Sequence, residues 1–211
     1  MSEAPGHFIS LEGGEGTGKS TQARRLGAHL RERGIDVVLT REPGGSPGAE
    51  LIRKLVVEGE GGRWSPITET LLLYAARADH VARTIGPALA RGQWVISDRF
   101  NDSTFAYQGG GRSVPRETIR RIDAAVLDDF KPDLTLILDL PVETGLARAA
   151  SRGGTETRFE SLGRDFHERM REAFLDIARK QPGRCRLIDA GGSEETVAAA
   201  IWEAVQAHFD L

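Results

Sequence analysis

The chain has 211 residues, enough for one domain with a substantial core, and its 39% hydrophobic and 28% charged content is that of a globular protein. A net charge of −3 argues against a generally basic, nucleic-acid-binding surface, although arginines can still cluster locally. The single cysteine, Cys185, excludes an intrachain disulfide and fits a reducing compartment. Met1–Gly6 is short and polar, and no apolar run approaches the roughly 18 residues of a membrane helix. The five histidines lack metal-ligand spacing. The expectation is one cytoplasmic domain over residues 1–211, without a membrane or nucleic-acid partner and without a protein-held zinc.

His7–Leu11 reads as a strand feeding a glycine-rich turn. Gly13, Gly18, Lys19 and Ser20 fit G-x-x-x-x-G-K-[ST], a phosphate-binding loop. Glycines let several backbone N–H groups converge on one anion, and the helix that follows adds its positive end. Gly13, Gly14, Glu15, Gly16, Thr17, Gly18, Lys19, Ser20 and Thr21 are therefore the candidate ATP-binding residues. Lys19 would reach the β- and γ-phosphates and the Ser20 hydroxyl could ligate Mg²⁺.

Thr17–Arg33 has helical spacing through Ala23, Leu26 and Leu30, with Gly34 as a stop. Ile35–Thr40 reads as a strand, Gly44–Gly48 as a loop and Ala49–Glu58 as a helix. A loop over Gly59–Pro66 leads into a long helix, Thr68–Thr84, that continues through Ile85–Arg91. Trp94–Ser97 is a short buried strand, and Asn101–Gly111 a loop or short helix. Pro115 starts a helix with Ile119, Ile122, Val126 and Leu127 facing inward. Leu134–Leu138 is a strand and Val142–Ala150 a helix. Ser151–Glu160, polar and containing glycine and arginine, reads as a mobile flap. A helix over Leu162–Lys180, a strand at Arg186–Ile188 and a helix over Glu194–Phe209 complete the chain.

Strands separated by helices imply right-handed crossovers and a five-stranded parallel sheet with helices on both faces. Ligands in such sheets bind beyond the carboxyl ends of the strands, which directs attention to Glu12–Lys19, Arg41–Pro43, Asp98–Arg99, Asp139 and Asp189–Ala190. Asp98 could hold Mg²⁺ through water, and Arg99 could bind a second phosphate. The turn Pro43-Gly44-Gly45 either aims Arg41 inward or leaves it solvated. Gly44-Gly45-Ser46-Pro47-Gly48 also matches the G-x-S-x-G elbow of serine hydrolases, but Pro47 has no N–H to offer an oxyanion. Arg152 and Arg158 in the flap, with Arg148 just upstream, are candidate cations for a transferring phosphoryl group, which is worth ~10³–10⁵ in rate. A closing flap would also exclude water.

The ordered set Thr40-Arg41-Glu42-Pro43-Gly44-Gly45, Tyr74-Ala75-Ala76-Arg77, Ser97-Asp98-Arg99-Phe100, Ala106–Arg112, Pro132–Asp139 and Leu187–Ala190 resembles bacterial thymidylate kinases over nearly the whole chain. The resemblance implies an α/β, three-layer P-loop NTPase fold with a mobile lid at about residues 151–160, ATP and dTMP as substrates, Mg²⁺, and a homodimer. Glu15 would bind the 3′-hydroxyl of dTMP, and Arg41 and Arg99 its phosphate. Asp98 would be the catalytic acid beside Mg²⁺. Arg77, Thr104 and Gln108 would read the thymine edge, with Tyr107 packed on the deoxyribose. Arg148 and the loop after Asp189 would flank the adenine. Two positions depart from the family pattern. Gly16 stands where some relatives carry a P-loop arginine, which moves the catalytic cation to Arg152 or Arg158. Leu73 stands where an aromatic often stacks on thymine.

The same scaffold could serve another nucleotide kinase or a nucleotide-driven switch. No guanine-recognition signature supports the switch, and the flap arginines favour transfer to a second anion. For the homodimer, the stripes on Thr68–Thr84 and Pro115–Asp128 could face a partner or the monomer's own core.

Overall fold

β1 (Phe8–Glu12) is buried along its whole length because both its neighbours are strands and both its faces carry helices. This is the computed structural model of the chain, and it describes residues 6–58, 62–152 and 162–211. The strands β1, β2 (Val37–Arg41), β3 (Trp94–Asp98), β4 (Leu134–Asp139) and β5 (Cys185–Asp189) form one sheet in the order β2-β3-β1-β4-β5. Every pairing is parallel, with Leu11 level with Asp98 and Leu136. The carboxyl ends of all five strands therefore open on one edge.

On one face, Ile9, Leu11, Ile96 and Leu136 pack with Leu26 and Leu30 of α1 (Lys19–Glu32) and Ile201 and Val205 of α9 (Glu194–Phe209). On the other, Phe8, Val95 and Phe100 pack with Tyr74 of α3 (Pro66–His80) and Ile119 and Leu127 of α6 (Arg116–Leu127). Ile137 and Cys185 carry Phe166, Met170 and Phe174 of α8 (Arg164–Lys180). Each such fully buried side chain contributes about 1.5–3 kcal/mol of transfer free energy. The three layers are the expected ones.

Several local expectations are refined. α2 (Pro47–Val57) starts two residues earlier than its apolar spacing indicated, because Ser46 caps it and accepts from Ala49 N at 3.4 Å. The Ser46 hydroxyl donates to Asp79 at 2.6 Å, so the serine of the elbow-like match serves as a helix cap. α3 gives way to a π-helical stretch, Val81–Ile85, before α4 (Gly86–Ala90). Pro87 has no N–H with which to continue the α-helical ladder there. Asn101–Gly111 is helical throughout: α5 (Asn101–Thr104) runs into a π-helical stretch, Phe105–Gly111.

Of the glycines that suggested a loop end, Gly110 and Gly111 are instead the surface on which α8 sits. A Cβ on Gly111 would lie 2.3 Å from the Phe166 ring. Val126, expected on the inner face of α6, is 38% exposed, so that face is narrower than the spacing suggested. α7 (Val142–Arg152) extends two residues into the expected flap, and the rest of that flap lies outside the described residues. Cys185 is buried in β5 and its thiol is pushed up to about 12 by burial, which makes it a packing residue. Among the described residues, no helix is long and apolar enough to cross a membrane.

Candidate active site

The phosphate turn closes only with glycine at particular places. Gly13 has φ 132°, and a Cβ there would lie 2.3 Å from the Leu138 carbonyl. Gly16 has φ 68° and backs onto Gly145, whose carbonyl would be 2.0 Å from an added Cβ. With this backbone no side chain fits at residue 16, which gives a steric reason for glycine there.

Lys19 is folded onto the turn. Its Nζ donates to the Gly14 carbonyl at 2.6 Å and to Thr17 Oγ1 at 3.2 Å. Burial, reinforced by the Arg99 charge, pushes the amine down to about 8. The Ser20 hydroxyl donates to the Asp98 carboxylate, joining the first turn of α1 to the end of β3.

Arg99 follows Asp98 with an unusual positive φ of 75°. Its backbone is held on both sides. Arg99 N donates to the Leu11 carbonyl at 2.9 Å, and the next N–H, of Phe100, donates to Glu12 Oε1 at 2.7 Å. The second Glu12 oxygen accepts from Ser103 Oγ at 2.6 Å. Burial and the nearby Asp102 charge push Glu12 up to about 8. The Arg99 guanidinium lies over the Tyr107 ring, 4.8 Å from its centroid, and donates to the Gly13 carbonyl and to Glu15. Burial alone would raise Glu15, but Arg99 and Lys19 hold it below the usual carboxylate range.

Beyond Glu15 lies a cavity lined by Leu73, Arg77, Arg99, Thr104, Tyr107 and Gln108 among others. Seven of the eight expected acceptor-binding residues therefore meet in one place, Glu15 included. The eighth, Arg41, does not line it. Arg41 is half exposed, pairs with Glu50 at 3.2 Å, and borders the neighbouring groove with Ser20 and Asp98. Gly45 N donates to that Glu50 carboxylate and, with Arg41 and Arg53, holds it below its usual range.

Arg77 is buried and gripped by Glu42 at 2.7 Å, while its Nη2 reaches the Phe100 carbonyl and Thr104 Oγ1. Glu42 also meets His80 Nδ1 at 2.9 Å. Leu73 lines the cavity; Tyr74 points away and donates to Asp123 at 2.7 Å.

On the other side of the turn, Arg148 donates to the carbonyls of Ala190 and Gly191 at 2.9 and 3.3 Å, so α7 and the loop after β5 do meet. Asp139, at the carboxyl end of β4, is engaged by Arg171 through two hydrogen bonds. Arg158 lies outside the described residues, and of Arg152 only the helical backbone at the end of α7 is described.

The family model for thymidylate kinase matches residues 11–201. A thymidylate kinase of Caulobacter vibrioides is 58% identical over 206 residues, covering 98% of this chain and 99% of that protein. One of Ruegeria pomeroyi is 53% identical over 97% of both chains. The chain belongs to the thymidylate kinase family. A crystal structure of thymidylate kinase from Ehrlichia chaffeensis superposes with a TM-score of 0.76 at 34% identity, covering 96% of this chain and 99% of that one. The fold found here is thus shared with a thymidylate kinase.

No sequence motif gives a role to Glu12, Ser103, Glu42, Glu69 or His80; Glu42 and Ser103 bond the cavity's arginines, Glu69 bonds its amide, and Glu12 and His80 in turn bond Ser103 and Glu42. One signal was available: Glu69, Leu73 and Arg77 are spaced i, i+4, i+8 and so share one face of α3.

Proposed function

We propose that this chain catalyses ATP + dTMP ⇌ ADP + dTDP. The reading is carried by one observation: Glu15, inside the phosphate turn, is also a wall of the acceptor cavity, where Arg99 and Tyr107 contact it. Donor and acceptor sites therefore share an edge, as direct transfer requires. An oxygen of the dTMP phosphate attacks the γ-phosphorus, and the bond from that phosphorus to the β-phosphate oxygen breaks as ADP leaves. The attacking oxygen is already ionised at neutral pH, so no strong base is needed. Catalysis is positioning and charge neutralisation.

In this reading Lys19 leaves Gly14 for the β- and γ-phosphates, and Arg99 holds the acceptor's phosphate with Arg41 approaching from the groove beside it. Glu15 takes the sugar 3′-hydroxyl, and Arg77, Thr104 and Gln108 take the base. Leu73 packs on the base with apolar contact in place of aromatic stacking. Arg148 flanks the adenine, and Arg152 or Arg158 supplies the cation over the transferring group. Ser20 and Asp98 present adjacent hard oxygen donors at the turn, a set that suits Mg²⁺, which takes few protein ligands alongside phosphate oxygens. Bound there, Mg²⁺ would neutralise charge on the β- and γ-phosphates.

The same reading places the protein in the cytoplasm as a homodimer. Leu51 and Leu55 on α2 and Ile67 and Leu71 on α3 stay 38–66% exposed although the two helices pack together, which leaves apolar surface for a second copy.

A coupled ADP-release assay tests the activity. With ATP and Mg²⁺, dTMP should turn over far faster than dCMP, AMP or GMP. Equal ADP release without any acceptor would refute transfer.

A further inference from the structure

The acceptor cavity contains two buried polar atoms with no protein partner among the described residues: Arg77 Nη1 and the carboxamide oxygen of Gln108. The residues are 2% and 1% exposed. Such atoms cost about 1–3 kcal/mol each when unsatisfied, so they mark where a ligand is to bond. One is obligatorily a donor. The other is an acceptor only if the Gln108 amide faces one particular way, because the two ends of a carboxamide have nearly the same shape and opposite hydrogen-bonding character.

That orientation is set from outside the cavity. Glu69, fully buried on α3, accepts from Gln108 Nε2 at 2.9 Å, and the same oxygen lies 3.1 Å from Arg112 Nε. The end of the Gln108 amide that faces this oxygen is the nitrogen, and the oxygen is also ion-paired to Arg112. The Gln108 oxygen must then face away from Glu69. We propose that Glu69 is a positioning residue that determines base specificity. By fixing the Gln108 amide it presents an acceptor beside the Arg77 donor, a pattern complementary to a base edge carrying an N–H next to a carbonyl. Thymine and uracil have that edge. Cytosine presents the reverse, an unprotonated ring nitrogen next to an amino group, and is rejected because both protein atoms would then meet like partners. This inference rests on the reading of the cavity as the pyrimidine site.

The test is acceptor competition in Glu69→Gln. An amide at residue 69 can offer Gln108 either an oxygen or a nitrogen, so Gln108 is free to turn. The ratio of kcat/KM for dTMP over dCMP should fall by about 10- to 100-fold, with the KM for ATP unchanged. A merely structural role for Glu69 would lower both acceptors alike and leave the ratio where it was, and that result overturns the proposal. Wild-type protein with no preference for dTMP would overturn the reading of the cavity instead, so the two failures are separable. For a variant that does not fold, NMR of wild-type protein labelled in its glutamine side chains decides. The Gln108 amide protons should be protected from exchange before any nucleotide is added. Rapid exchange there would mean that Glu69 does not hold the amide.

Discussion

The Tyr107 hydroxyl donates to Glu15 Oε1 at 2.6 Å, joining the π-helical stretch after β3 to the phosphate turn after β1. Burial raises the Tyr107 phenol well above its ordinary value, so it remains a donor, while Glu15 is held ionised by the cations around it. A neutral donor on a carboxylate is a charge-assisted bond. Tyr107→Phe removes it and keeps the ring. Steady-state kinetics at saturating ATP should give a dTMP KM raised about ten-fold, from loss of a charged hydrogen bond, with kcat changed less. Preference for deoxy over ribo acceptors should survive in Tyr107→Phe and weaken in Tyr107→Ala, because the ring body supplies the packing.

Lys19 predicts proton uptake on ATP binding. Burial holds its amine at about 8 in the free protein, and triphosphate oxygens favour the charged form. Calorimetry at about pH 8 in buffers of different ionisation enthalpy should show a fraction of a proton taken up per ATP bound. The dependence should be much weaker at about pH 6.5, where Lys19 is already charged, and absent in Lys19→Met. Buffer-independent heats at the higher pH would contradict the assignment.

Glu12 gives a stability signature of definite sign. Its folded value is raised from 4.5 to about 8, mainly by burial. The folded state therefore holds the proton more tightly than the unfolded chain. The resulting stability is fully present below pH 4.5 and is lost as pH rises through about 8. Urea melts of wild type and Glu12→Gln should diverge in the variant's favour as pH rises. A difference that does not change with pH would show that Glu12 does not titrate in this window.

These interactions also show what could and could not be read from the sequence. The phosphate turn was legible because its chemistry is local: glycine spacing, one lysine and one serine within eight positions. The order of helices and strands was legible from apolar periodicity, and Gly13–Thr21 fell where expected. The carboxylates that hold the site were not, because each acts across a distance. Glu12 reaches Phe100 and Ser103 over 88 and 91 positions, Glu42 reaches Arg77 over 35, and Glu69 reaches Gln108 over 39. Similarly, Gly109-Gly110-Gly111 carries a loop signal in isolation but is helical here, and α8 approaches closely at Gly110 and Gly111. The placement of Arg41 beside the cavity depends on Glu50, nine residues away on the next helix.

Arg152 and Arg158, proposed as the source of the catalytic cation, should separate chemistry from binding. Arg152→Ala and Arg158→Ala should each be compared with wild type in single-turnover experiments. The residue that supplies the cation should lose up to about 10³-fold in the transfer step, with dTMP affinity changed only a few-fold. Full activity in both variants would place the catalytic cation elsewhere.

The apolar faces of α2 and α3 predict assembly. Leu71, 52% exposed, and Leu51, 66% exposed, can each be changed to Glu with little cost to the monomer fold. Sedimentation should give a dimer for wild type and a monomer for Leu71→Glu at the same concentration. A wild-type monomer would remove the partner from the proposal.

The strand order β2-β3-β1-β4-β5 has a further consequence. Apart from Glu15, everything assigned to the acceptor hangs from β2, β3 and the helices between and after them, over residues 41–108. Everything assigned to the adenine hangs from β4 and β5, over residues 148–191. The two sets lie on opposite flanks of β1, with its turn between them. Base preference in this scaffold could therefore drift by substitutions confined to one contiguous half of the gene, leaving ATP usage in the other half undisturbed.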